Sequence, residues 1–95
     1  MPYVLIRHKV ADYSKWKRAV QAKADMRRTS GEKSFHVYRD SRNPKDLTVI
    51  CEWDSSAKMQ KFMKSAELRR AMQEAGVKSK PMLQFFGKVE ELSVA

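Results

Sequence analysis

Cysteine is almost missing from this chain: there is one, Cys51, set inside an apolar run. That excludes an internal disulfide framework and any thiol cluster able to hold zinc or an iron–sulfur centre, and it suits a reducing cytoplasm. Glycine and proline, three of each, gather into no low-complexity stretch. No apolar run nears the roughly 20 residues that a membrane-spanning helix requires. The start of the chain lacks the charged segment and apolar run of a secretory leader, so a cytoplasmic protein with no membrane association is expected. Acidic residues are outnumbered, 11 against 20 Lys and Arg, for a net charge of +9 spread along the chain. Such a charge favours anionic partners of any kind without choosing among them.

What is present is a single domain's worth of sequence, 95 residues of which 42% are hydrophobic, and one domain over residues 1–95 is expected. Tyr3 to Val10 reads as a strand, its first half apolar on both parities. Asp12 can cap a following helix whose positions Tyr13, Trp16, Val20 and Ala24 line one face, and Ser30-Gly31 ends it. Lys33 to Asp40 alternates as a second strand. The turn formers Ser41 to Asp46 then join it in a hairpin to Leu47–Trp53, where Leu47, Val49, Cys51 and Trp53 share one parity and Ile50 and Glu52 the other. Asp54-Ser55-Ser56 starts a helical segment whose apolar phase slips between Ala66 and Leu68, which predicts two short helices joined at Ser65. Gly76 and Pro81 bracket a connection to a last strand, Met82 to Phe86, apolar on both faces.

The order strand, helix, strand, strand, helix, strand predicts an α+β, ferredoxin-like βαββαβ fold. Its four-stranded antiparallel sheet has the helices on one side and the first and last strands at or near its centre. Helices on one side leave the other sheet face bare, and soluble monomers rarely expose more than a few hundred Å² of contiguous apolar surface. Burying about 600 Å² would be worth on the order of 15 kcal/mol gross, before the costs of association. A homodimer is therefore expected, closing into a dimeric α/β barrel.

The run Val49-Ile50-Cys51-Glu52-Trp53-Asp54-Ser55-Ser56-Ala57, leading through Phe62-Met63-Lys64-Ser65-Ala66-Glu67-Leu68-Arg69, resembles the antibiotic-biosynthesis-monooxygenase-like proteins of the dimeric α/β barrel superfamily. Arg7-His8-Lys9-Val10-Ala11-Asp12-Tyr13 and Trp16-Lys17 are similar to small members of that group, and the likeness spans roughly Tyr3 to Val89. It implies a pocket between sheet and helices and a range of activities that includes cofactor-independent oxygenases and haem-degrading enzymes. The haem branch would place an asparagine near Ile6, a tryptophan near Phe62 and a histidine near Met72; none is matched, so haem degradation is not expected. The implied function is a cofactor-independent monooxygenase or isomerase acting on an aromatic or anionic small molecule. The alternatives are a non-catalytic small-molecule-binding or regulatory domain and, less favoured, a nucleic-acid binder using the basic surface.

Candidate chemistry rests on few residues. His8 shares parity with Val4, Ile6 and Val10, so on the helix side of the sheet its neutral imidazole could take a proton from a phenol or enol. Glu52, the acid within an apolar strand, is the second catalytic candidate, with a structural ion pair to Arg7, Lys9 or Arg39 as the plainer role. Trp16, Trp53 and Phe62 could wall a flat ligand's site, against the commoner role of aromatics as core. His36, on an alternating strand, is a ligand-binding candidate with solvent contact as the plainer role. Two histidines and one acid on separate strands argue no metal site, and no cofactor is expected.

Overall fold

The computed structural model describes residues 2–78 and 80–94. Four strands and four helices follow in the order β1 (Pro2–Lys9), α1 (Tyr13–Ala22), α2 (Ala24–Ser30), β2 (Glu32–Arg39), β3 (Asp46–Trp53), α3 (Ser56–Met63), α4 (Ala66–Glu74) and β4 (Met82–Gly87). The sheet runs β2-β3-β1-β4 with every neighbouring pair antiparallel. This is the ferredoxin-like α+β arrangement, in which each crossover leaves a gap that a strand of the other half fills.

The last strand is placed differently from expectation. β1 and β3 form the centre and β4 lies at an edge, because β1 has its two hydrogen-bonding sides taken by β3 and β4. β4 is exposed along its whole length, with Met82 50%, Leu83 39%, Phe85 46% and Phe86 38% accessible. Its apolar residues on both parities therefore mark an uncovered edge in the single chain, not an interior strand.

Local chemistry fixes the helix boundaries. The Asp12 carboxylate accepts from the Ser14 and Lys15 amides at 2.9 and 3.3 Å, capping α1. Ser65 both ends α3 and starts α4: its hydroxyl donates to the Phe62 carbonyl at 2.7 Å and accepts from the Leu68 amide at 3.1 Å. The split read from the phase slip thus sits at Ser65. A second break was not anticipated: the first helix, expected to run unbroken to Ser30, is interrupted at Lys23, whose amide turns back onto the Val20 carbonyl at 3.2 Å. Gly31 ends α2 with φ 117°, a left-handed value that glycine adopts without a Cβ penalty. β2 then begins at Glu32, one residue earlier than the alternation suggested.

The helices pack on one face of the sheet. Val4, Ile6 and His8 from β1 with Leu47, Val49, Cys51 and Trp53 from β3 point into that layer and are buried, joined by Trp16, Met59, Phe62 and Ala75 from the helical side. The register sets Val4 opposite Cys51, Ile6 opposite Val49 and His8 opposite Leu47, so the alternation of both strands delivers one continuous apolar floor. The opposite face carries Tyr3, Leu5 and Arg7 across from Glu52, Ile50 and Thr48, with Phe86, Gln84 and Met82 on the β4 side. No helix of the described residues is long and apolar enough to cross a membrane.

Candidate functional site

Between the sheet floor and the helices lies a cavity of about 80 Å³. Ile6, His8, Val49 and Cys51 form its floor, α1 contributes Trp16, and α3 and α4 close it with Phe62, Met63, Leu68 and Met72. These are the apolar and polarizable surfaces that suit a flat organic ligand.

His8 is the polar exception on the floor. It is only 5% exposed, and neither Nδ1 nor Nε2 has a hydrogen-bond partner among the described residues. Buried polar groups are ordinarily paired, so two open nitrogens on one ring ask for an explanation. Burial holds the imidazole below the usual histidine range, with the more distant Asp46 carboxylate pulling weakly the other way. A neutral ring has one donor nitrogen and one acceptor nitrogen, so it can both give and take a hydrogen bond. Trp16 lies beside it, the ring centroids 5.8 Å apart and the planes inclined at 53°.

The far end of the cavity carries a pair that the sequence did not announce. Arg27 Nε donates to Glu32 Oε1 at 2.8 Å, with side chains only 13% and 7% exposed. The Arg27 guanidinium also donates through Nη1 to the Val20 carbonyl and lies 4.5 Å over the Phe35 ring. Burial raises the Glu32 carboxyl above the usual range, and the Arg27 hydrogen bond and charge offset part of that rise. The Cys51 thiol donates to Glu32; burial first, and then the Glu32 charge, push its own pKa well up, so it stays a protonated thiol. The only sequence signal for this cluster was the opposite charges of Arg27 and Glu32 on either side of Ser30-Gly31.

Of the candidates read from the sequence, the structure brings His8, Trp16 and Phe62 together around the cavity. Glu52 and His36 are elsewhere. Their strands' alternation puts them on the opposite face of the sheet, Glu52 across from Tyr3 and His36 across from Ile50. Glu52 is therefore not among the residues that line the cavity with His8. Glu52 instead accepts from the Tyr3 hydroxyl, which raises the Tyr3 pKa, and Arg7, one of its expected partners, pairs with Asp46 at 3.2 Å. Arg39, another, lies 4.5 Å over the Tyr13 ring. Trp53 is fully buried beneath the site, its ring 5.1 Å from that of Phe62, and acts as core. Among the described residues, no group of three or more His, Cys, Asp or Glu side chains is placed to hold a metal ion.

Comparison with solved structures places this arrangement among known folds. SnoaB, a cofactor-independent oxygenase from Streptomyces nogalater, superposes with a TM-score of 0.75 at 10% identity, covering 96% of this chain and 95% of that one. A conserved protein from Methanosarcina mazei Go1 gives 0.71 at 14% identity, covering 92% and 91%. An antibiotic biosynthesis monooxygenase gives 0.69 at 13% identity, covering 95% and 100%. At these identities the likeness is one of fold. No curated protein matches the chain. The family model for antibiotic biosynthesis monooxygenases matches residues 5–74, and with well over half its length so matched the chain belongs to that family.

Proposed function

We propose that this chain is a homodimeric, cofactor-independent oxygenase of a small flat phenol or enol, with His8 as its general base. The observation that carries the reading is the pair of unpartnered His8 nitrogens inside an apolar cavity. A ring kept neutral by burial is ready to accept a proton near neutral pH, and the hydroxyl of a bound phenol or enol can donate to its unprotonated nitrogen. The anion so formed is electron-rich and can itself give electrons to oxygen. Trp16, Phe62 and Met72 supply flat and polarizable walls around it. Family membership and the likeness in fold to SnoaB support the oxygenase reading.

The dimer is part of the proposal because the helices leave one sheet face bare. Tyr3, Leu5 and Ile50 are half-buried there, and Met82 and Phe86 are exposed. A second copy laid on that face would shelter them and complete a barrel.

Oxygen uptake measured with a panel of small electron-rich phenols tests the reading. His8→Gln keeps a polar ring-sized side chain without a titratable base and is expected to lower kcat by about 10²- to 10⁴-fold, the usual contribution of a positioned base. His36→Gln, on the other face of the sheet, should leave it unchanged. Undiminished turnover in His8→Gln would remove the base assignment, and tight binding without any oxygen uptake would make the chain a binding domain.

A further inference from the structure

A base is ordinarily oriented by a further group that hydrogen-bonds to the other end of it. His8 has no such group among the described residues, since neither ring nitrogen has a partner. We infer that Trp16 is the positioning residue of His8, setting the plane of the imidazole by ring packing, and that Trp16 is itself braced by Tyr13 and Phe35, each covered by a guanidinium. The inference rests on His8 being the base of the cavity.

Three observations carry it. The first is the row of rings. The Trp16 centroid lies 5.8 Å from that of His8, 5.9 Å from that of Tyr13 and 6.3 Å from that of Phe35. All three separations fall in the range where tilted aromatic pairs attract beyond the area they bury. Trp16 is thus the centre of the group, and it is buried.

The second is the bracing. Arg39 lies 4.5 Å over the Tyr13 ring and Arg27 4.5 Å over the Phe35 ring, both within reach of a cation–π attraction. A guanidinium stays charged throughout the pH range of a folded protein, so neither brace comes and goes with pH. Local sequence assembles the parts. Asp12 caps α1, and Tyr13 and Trp16, three residues apart, are neighbours on its surface. Phe35 and Arg39 share a parity on β2, across from the buried Cys51 and Leu47.

The third is the place of His8 in the sheet. Leu47 of β3 stands opposite it, but on the other side the β1–β4 register ends at Arg7 and Met82, one residue short of His8. The outer torsion of a histidine side chain is broad, so a ring with no hydrogen bond takes its plane from what packs against it. Trp16 is what packs there from the helices.

Tyr13 and Arg39 do not line the cavity, so Tyr13→Leu loosens Trp16 without touching a bound ligand. The test compares the purified native protein with Tyr13→Leu, Trp16→Leu and Trp16→Phe, using phenol as the ligand. Nuclear Overhauser effects should join the His8 ring protons to the Trp16 indole in the native protein and weaken in Tyr13→Leu. The same variant should bind phenol as the native protein does while kcat for oxygen uptake falls by about 10- to 10²-fold, as a misplaced group warrants. Trp16→Leu should lose at least as much, and Trp16→Phe, which returns a ring to the side of His8, should recover most of it.

Unchanged His8 ring signals and unchanged kcat in Tyr13→Leu would overturn the inference and leave the base assignment standing. A phenol Kd that rises in step with the fall in kcat would make the row a wall of the ligand site only, and would overturn it as well. Lowered turnover in Trp16→Leu beside full turnover in His8→Gln would remove the base and its positioning together, as would the absence of phenol binding in the native protein. Should Trp16→Leu fail to fold, Tyr13→Leu, at a half-buried position, decides the matter.

Discussion

Tyr3 and Phe86 stack with ring centroids 5.6 Å apart and planes 16° from parallel, on the face of the sheet that the helices leave open. Tyr3 also donates to Glu52 across the β1–β3 pair. An apolar stack flanked by polar groups, on a face with no covering layer, is the surface that a second copy would hide. Sedimentation at micromolar concentration should therefore show a two-chain species. Leu5→Glu, which sets a charge in the middle of that face, should give a single chain with its far-UV circular dichroism intact. A native protein that sediments as one chain would contradict the dimer.

Trp53 is fully buried, and its indole nitrogen has no hydrogen-bond partner among the described residues. Its contribution is therefore packing, with no hydrogen bond to lose. Trp53→Ala should cost about 3–5 kcal/mol in urea unfolding. Trp53→Phe should cost much less, since it keeps a ring against Phe62 and removes a buried unsatisfied donor. Similar costs for the two would show that the nitrogen has a partner after all.

Gly31 joins α2 to β2 at φ 117°, and a Cβ there would lie 2.7 Å from Asp54 Oδ1. Gly31→Ala should destabilise by more than about 1 kcal/mol, both from the left-handed backbone and from the clash. A neutral outcome in chemical denaturation would show that the turn can relax.

The pH dependence of stability follows from His8. Its folded pKa lies below the ordinary 6.5 because of burial, so the unfolded chain binds the proton more readily than the native one. The stability from keeping the ring neutral is present above pH 6.5 and is lost as the pH falls from there through the folded value. Glu32 has the opposite sign: its raised carboxyl pKa gives stability that is present below the ordinary 4.5 and is lost as the pH rises through the folded value. The difference between the wild type and His8→Gln isolates the first effect. The melting temperature of the wild type should fall more than that of His8→Gln between pH 7.5 and pH 5. Parallel curves would place His8 in contact with water.

The sequence carried the fold well because strand parity and helix phase are local signals that burial enforces. Val4, Ile6 and His8, and Leu47, Val49, Cys51 and Trp53, share parities in the sequence and share the helix-facing layer in the structure. The slip after Ala66 marked the Ser65 break for the same reason. Position in the sheet was less legible. The apolar residues of β4 look alike whether a strand is central or an uncovered edge, and only the pairing order separates the two cases. The site was half legible. Parity placed His8 on the helix side, but the same rule, applied across strands, needed the register to show that Glu52 and His36 face away. Arg27 and Glu32 were missed because their pairing closes across the turn at Gly31, and opposite charges five residues apart give no sign that both side chains will be buried.

The most direct test of the account uses the chain's two histidines against each other, since one lies in the cavity and the other on the open face. Ring ¹⁵N resonances should be followed by NMR as phenol is added at neutral pH. The account expects the His8 nitrogens to report a neutral ring in the free protein and to shift on binding, while those of His36 stay in place. A His8 ring that is already protonated, or that does not respond while the ligand binds, would contradict it.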